Sequence, residues 1–137
     1  MKFKRMTGFT FWLLLMSGCG QKGTEIEPGL CRFDQGACHT TQAGKTLSLS
    51  LSPGNAPSEQ PLALILDKPE GWRLISAVVE GRDMFMGRLP VSFDERGRGS
   101  LMYGSCASGY MVWRLNLLME DDAGLEHHVA FDWLADH

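Results

Sequence analysis

The chain has 137 residues, 44% of them hydrophobic and 21% charged, with 13 basic side chains against 16 acidic ones. That length suits one domain of ordinary size. The acidic balance gives no electrostatic footprint for nucleic acid, so that class of partner is excluded.

Lys2, Lys4 and Arg5 form a short cationic region ahead of an apolar run of eight residues, Phe9 to Met16. A membrane-spanning helix needs about 20 apolar residues. The run instead has the length of a secretory signal's apolar segment, with small residues after it where a peptidase needs room. Ser17-Gly18-Cys19 resembles the lipobox of bacterial lipoproteins, with Met16 where Leu is most usual. The resemblance implies a signal peptide over residues 1–18 and a diacylated Cys19 as the first residue of the mature chain. Gly20 stands where Asp would signal inner-membrane retention, which points to the periplasmic face of the outer membrane.

Loss of residues 1–18 removes three basic residues and no acidic ones, leaving 119 residues with a formal charge of −6. Such a chain is not drawn to anionic lipid headgroups, so its membrane contact is expected through the lipid anchor. Residues 19–30 have three Gly, a Pro and no apolar period, and read as a flexible tether. Residues 31–137 then form the domain. With Cys19 lipidated, Cys31, Cys38 and Cys106 remain, an odd number that predicts one disulfide and one further thiol. If Asp34-Gln35 makes a tight turn, Cys31 and Cys38 sit opposite each other on a hairpin and can bridge. A bridge from either one to Cys106 would close a longer loop and stabilise more, by about 4.4 against about 2.5 kcal/mol in the chain-entropy model. The sequence leaves both pairings open.

Beyond Lys45 the apolar period is two. Leu47, Leu49 and Leu51 alternate with Thr46, Ser48, Ser50 and Ser52, the pattern of a half-buried strand. Leu62–Leu66 and Trp72–Glu80 read as strands with buried centres. Leu89, Val91 and Phe93 alternate next, and after the turn at 94–99 a short strand is expected over Ser100–Tyr103. Met111–Glu120 is the clearest strand, placing Met111, Trp113, Leu115, Leu117 and Met119 on one face. Glu120–Gly124 turns it into Glu126–Trp133 as a hairpin. About seven short strands, turns rich in Gly and Pro and no amphipathic helix predict an all-β, immunoglobulin-like antiparallel β-sandwich.

Nothing in the chain resembles a glycine-rich phosphate loop, a nucleophile elbow or a helical zinc motif, so a non-enzymatic protein is expected. Adjacent strand residues face opposite ways, so His127 and His128 cannot close on one ion; a satisfied, partly buried His127 and a solvated His128 are expected. In Gly81-Arg82-Asp83-Met84-Phe85-Met86-Gly87, strand alternation would put both thioethers on one face and Phe85 on the other. Two exposed thioethers suit Cu(I). Cys106, in a loop between two strands, can reach the same end of a sandwich, and His39 would complete a Met84/Met86/Cys106/His39 metal site. The competing reading packs the methionines under a loop and places Cys106 in a disulfide.

Cys31-x6-Cys38, Gly81-x-Asp83-Met84-x-Met86-Gly87 and Cys106-x-Ser108-Gly109-x-Met111-x-Trp113 together resemble small proteobacterial envelope lipoproteins. More loosely the chain is similar to the periplasmic β-sandwich proteins grouped as FixH-like and YtkA-like, and that resemblance implies a link to cytochrome oxidase assembly and copper. Two functions are therefore expected as alternatives. One is a lipid-anchored periplasmic protein that binds or delivers Cu(I) in envelope metalloprotein assembly. The other is a structural or interaction module that binds an envelope protein without metal.

Overall fold

The structure, a computed structural model, describes residues 27–105 and 110–135. Eight strands form it: β1 (Cys38–Gln42), β2 (Lys45–Ser52), β3 (Leu62–Asp67), β4 (Arg73–Gly81), β5 (Arg88–Pro90), β6 (Arg98–Leu101), β7 (Val112–Glu120) and β8 (Glu126–Leu134). They pair antiparallel as two four-stranded sheets, in the orders β1-β2-β3-β6 and β5-β4-β7-β8. β6 returns beside β3 and β7 beside β4, the crossing pattern of an immunoglobulin-like sandwich.

Period-two alternation accounts for the core. Leu47, Leu49 and Leu51 of β2 face Trp113, Leu115, Leu117 and Met119 of β7 and Val129, Phe131 and Trp133 of β8 across the interior, all buried. Met111 and Met119, at 3% and 0% exposure, fill this core as expected. The run Leu62–Leu66 alternates as well: Leu62, Leu64 and Leu66 are buried, but Ile65 is 51% exposed. An antiparallel sheet packed on one face leaves the other in water, so a continuous apolar run does not make a strand buried on both faces.

The structure departs from the expected elements in four places. The segment between Cys31 and Cys38 is no hairpin; it holds a 3-10 turn at Phe33–Gln35. The two cysteines nevertheless bridge, with Cα atoms 5.4 Å apart. Cys38 then opens β1, a strand absent from the period-two reading, paired with β2 through Cys38↔Leu49 to Gln42↔Lys45. The alternation at Leu89–Phe93 yields a pairing strand only over Arg88–Pro90, after which Phe93 makes an isolated bridge to Gly99. The strand expected at Ser100–Tyr103 lies earlier, at Arg98–Leu101.

The connections sort to two ends. The β2–β3, β4–β5 and β6–β7 connections and the end of β8 lie at one, here called the upper end, as the pairs Ser52↔Ala63, Leu62↔Leu101, Gly81↔Trp113 and Val112↔Leu134 require. The β1–β2, β3–β4, β5–β6 and β7–β8 connections lie at the other. The disulfide also faces the upper half: Cys31 donates its N–H to the Asp132 carbonyl at 2.7 Å, and Phe33 meets Trp133 edge-on at 5.7 Å.

Candidate functional site

Residues 82–87 leave β4 and return as β5 at the upper end. They form a loop and not a continued strand, because the ladder between β4 and β5 stops at Glu80↔Arg88. Strand alternation therefore does not apply, and the choice between exposing Phe85 and exposing the methionines disappears. All three project outward: Met84 is 45% exposed, Phe85 79% and Met86 37%. Gly81 makes the turn possible by close approach. A Cβ there would stand 2.0 Å from the Met84 carbonyl oxygen and 2.4 Å from the Met111 methyl. The loop thus folds back over Gly81, with Met111 packed beneath it.

Arg82 ties this loop to the incoming chain. Its Nη1 and Nη2 donate to the Glu27 carboxylate at 3.0 and 2.6 Å, and its Nε and Nη2 donate to Asp83 at 3.0 and 2.9 Å. Asp132 lies 3.6 Å from Nη1. The guanidinium holds the Asp83 carboxyl below the usual carboxylate range, and its carboxylate partners raise its own affinity for the proton. Glu27 thus lies against the domain although it falls in the expected tether of residues 19–30.

A row of alternating charge continues from there across the outer face of the β5-β4-β7-β8 sheet, where Arg88, Glu80, Arg114 and Asp132 stand opposite one another in register. Arg88 lies 3.6 Å from Glu80, and Arg114 donates to both Asp132 oxygens at 2.7 and 2.8 Å. Asn116 donates its amide to Glu80 at 2.8 Å. The row joins all four strands of the sheet just below the loop.

The expected metal donors are only partly brought together. Met84 and Met86 share the exposed loop. Cys106 lies outside the described residues, although Ser105 and Tyr110 on either side of it are at the same end. Cys31 and Cys38 are joined to each other, so the longer bridge from either to Cys106 is not made. His39 lies on β1, in the other sheet. It is exposed on the outer face of β1, opposite Ser48, and lines a shallow cleft with Thr40, Ala130 and Asp132, none of which belongs to the methionine loop. Among the described residues no group of three or more His, Cys, Asp or Glu side chains is placed to hold a metal ion. Cys19 also lies outside the described residues.

His127 and His128 separate as alternation requires. His127 is half-buried, stacks on Trp72 at 4.5 Å and bonds Asp121 at 2.8 Å, while His128 is exposed. A cleft of about 480 Å3 opens at the end opposite the loop, floored by Leu66, Leu74 and Phe93 and rimmed by Asp67, Lys68 and Glu95; no serine, cysteine or histidine lines it. The Glu27–Arg82 contact was not legible in the sequence, since it joins residues 55 apart and neither sits in an apolar period.

Fold and site together define a β-sandwich with an exposed apolar loop at the end where the chain enters the domain. No protein-family model matches the chain, and comparison with curated proteins and with solved structures finds no significant similarity.

Proposed function

We propose that this chain is a non-enzymatic, lipid-anchored module of the cell envelope, held at the periplasmic face of the outer membrane and acting through its upper end. One observation carries the reading: Met84, Phe85 and Met86 all project from a single loop, beside the point where Arg82 grips Glu27. Monomeric surfaces scatter exposed apolar residues singly, and three in succession mark a contact surface. The Ser17-Gly18-Cys19 lipobox supplies the anchor. Each acyl chain contributes about 0.8 kcal/mol per buried methylene, and stable attachment takes more than one chain. The test is detergent-phase partition and intact mass of the full chain expressed in a Gram-negative host. Lipidated protein in the detergent phase, lost on Cys19→Ala, supports the reading; an unlipidated protein in the aqueous phase defeats it.

A second reading, Cu(I) binding, is favoured by the exposure of both thioethers in one loop, since soft sulfur donors select monovalent copper. Anaerobic Cu(I) titration against a competing chelator tests it. Stoichiometric binding abolished by Met84→Leu/Met86→Leu supports the metal role, and binding that is absent or survives the double change rejects it.

A further inference from the structure

We propose that the Met84-Phe85-Met86 loop is a second membrane contact, seated in the interfacial zone of the bilayer that carries the lipid anchor. The domain then stands with its upper end toward the membrane and its β7–β8 turn away from it. This rests on the lipid-anchored reading and names the occupant of the same surface.

Chain length argues for the bilayer over a protein partner. Glu27 is fixed beside the loop by Arg82, and seven residues, 20–26, separate it from Cys19. At full extension eight residue steps span at most about 29 Å. A lipidated Cys19 therefore keeps the loop within a short distance of the headgroups at all times, and the second contact becomes an intramolecular event that needs little affinity of its own.

The side chains suit that zone. Phe with flanking Met gives apolar bulk at the tip, and Gly81 and Gly87 bracket it. The charges at its base are already paired: Arg82 with Glu27 and Asp83, Arg88 with Glu80. Arg82 serves two carboxylates, so the base keeps one carboxylate in excess, and it is the apolar tip and not this base that is seated. Tyr110 and Met102, 39% and 61% exposed, lie at the same end. The exposed Leu125, at 62%, lies at the opposite end in the turn between β7 and β8 and has no such neighbours on its loop.

The experiment uses the mature lipidated chain in phosphatidylcholine vesicles. Trp72, Trp113 and Trp133 are buried at 5%, 1% and 0% exposure, so native emission is a background that lipid-borne quenchers do not reach. Phe85→Trp places a reporter at the tip, and Leu125→Trp places one at the far end; both positions are exposed enough to accept the change without disturbing the core. With lipid brominated near the headgroup, emission from Phe85→Trp should be partly lost, since apolar side chains in such a contact lie about 5–10 Å into the headgroup–acyl boundary. Leu125→Trp should be unaffected. Equal or absent quenching of the two overturns the membrane contact, as does capture of the loop by an envelope protein in place of quenching. Detergent partition on the same preparation separates the failures. Lipidated protein with an unquenched tip rejects the second contact alone, whereas protein without lipid rejects the anchor and the contact together.

Discussion

The Arg82 guanidinium holds the Glu27 carboxylate by two hydrogen bonds of 2.6 and 3.0 Å, pinning the start of the domain to the loop after β4. Only 16% of the Arg82 side chain is exposed, but Glu27 is 44% exposed, and pairs with that much solvent contact contribute at most about 1 kcal/mol. Arg82→Ala should therefore leave the denaturation midpoint close to that of the wild type while releasing residues 27–30. Amide hydrogen exchange is the measurement: faster exchange confined to the residues before Cys31 is expected, and unchanged protection there would show that the pair holds nothing.

The Cys31–Cys38 bridge leaves Cys106 without either as a partner. With Cys19 lipidated as proposed, denatured but unreduced protein should present one thiol, and reduction should raise the count to three. In the chain-entropy model the short loop contributes about 2.5 kcal/mol. Cys31→Ser/Cys38→Ser should lower stability by about that amount in a denaturant titration, with some additional loss because Cys31 is buried against the core. A count of three thiols without reductant would contradict the bridge.

Tyr103 links two parts of the upper end from inside. Its hydroxyl donates to the Ala56 carbonyl at 2.8 Å and accepts from the Trp133 indole at 3.1 Å, while its ring stacks on Trp113 at 4.6 Å. Burial pushes its pKa up to about 12, so it stays neutral and keeps donating at any physiological pH. Tyr103→Phe preserves the stacking but leaves a carbonyl and an indole N–H unpaired, at a cost of about 2–4 kcal/mol. Trp113 is different: its indole N–H has no partner among the described residues. Trp113→Phe thus removes an unsatisfied group along with apolar area, and thermal unfolding of the two variants should show the tyrosine change losing hydrogen-bond energy that the tryptophan change does not.

Asp121 organises the β7–β8 turn. Its Oδ1 accepts from the Ala123 and Leu125 N–H groups at 2.9 Å each, and Oδ2 meets His127 at 2.8 Å. These contacts, His127 foremost, hold its carboxyl below the usual carboxylate range. A carboxyl depressed in the folded state stabilises fully above its unfolded pKa, about 3.9, and that stabilisation is lost as pH falls through the lower folded value. Asp121→Asn should therefore cost stability at pH 6, with the gap to wild type narrowing below about pH 4. A gap independent of pH would mean that the turn geometry and not the charge carries the effect.

What the sequence made legible follows from what periodicity encodes. Strands with one face in the core, such as β2 and β7, announce themselves because Leu47, Leu49 and Leu51, or Trp113, Leu115 and Leu117, must alternate with polar residues to be buried on one side only. β1 could not be read that way. Cys-His-Thr-Thr-Gln at the sheet's edge carries no apolar alternation, and it pairs with β2 while the disulfide joins its first residue to Cys31. The candidate site was half legible: Met84, Phe85 and Met86 stood out, but their common exposure depends on the ladder ending at Glu80, which only the pairing with Arg88 reveals. His39 shares the soft-metal donor chemistry of the methionines, but topology puts it on β1 of the other sheet.

Gly81 sets the conformation of the loop, and its substitution tests that directly. Its role is close approach rather than backbone freedom, since the Met84 carbonyl would lie 2.0 Å from any Cβ and is backbone that cannot swing aside. The Met111 methyl, 2.4 Å away, sits at the end of a side chain that can move, but Met111 is 3% exposed and moves only by disturbing the core. Gly81→Ala must therefore either push residues 82–87 outward or strain β4 against β7, at a cost of about 1–3 kcal/mol. Pushing the loop outward also shifts Arg82 away from Glu27, so exchange should quicken both at 82–87 and at 27–30. Gly87→Ala supplies the contrast: its φ of +86° makes the change unfavourable, but nothing stands within 4 Å of the new methyl. It should strain the loop locally without releasing Glu27. Protection at 27–30 lost in both variants alike would show that loop position and chain docking are not coupled through Arg82.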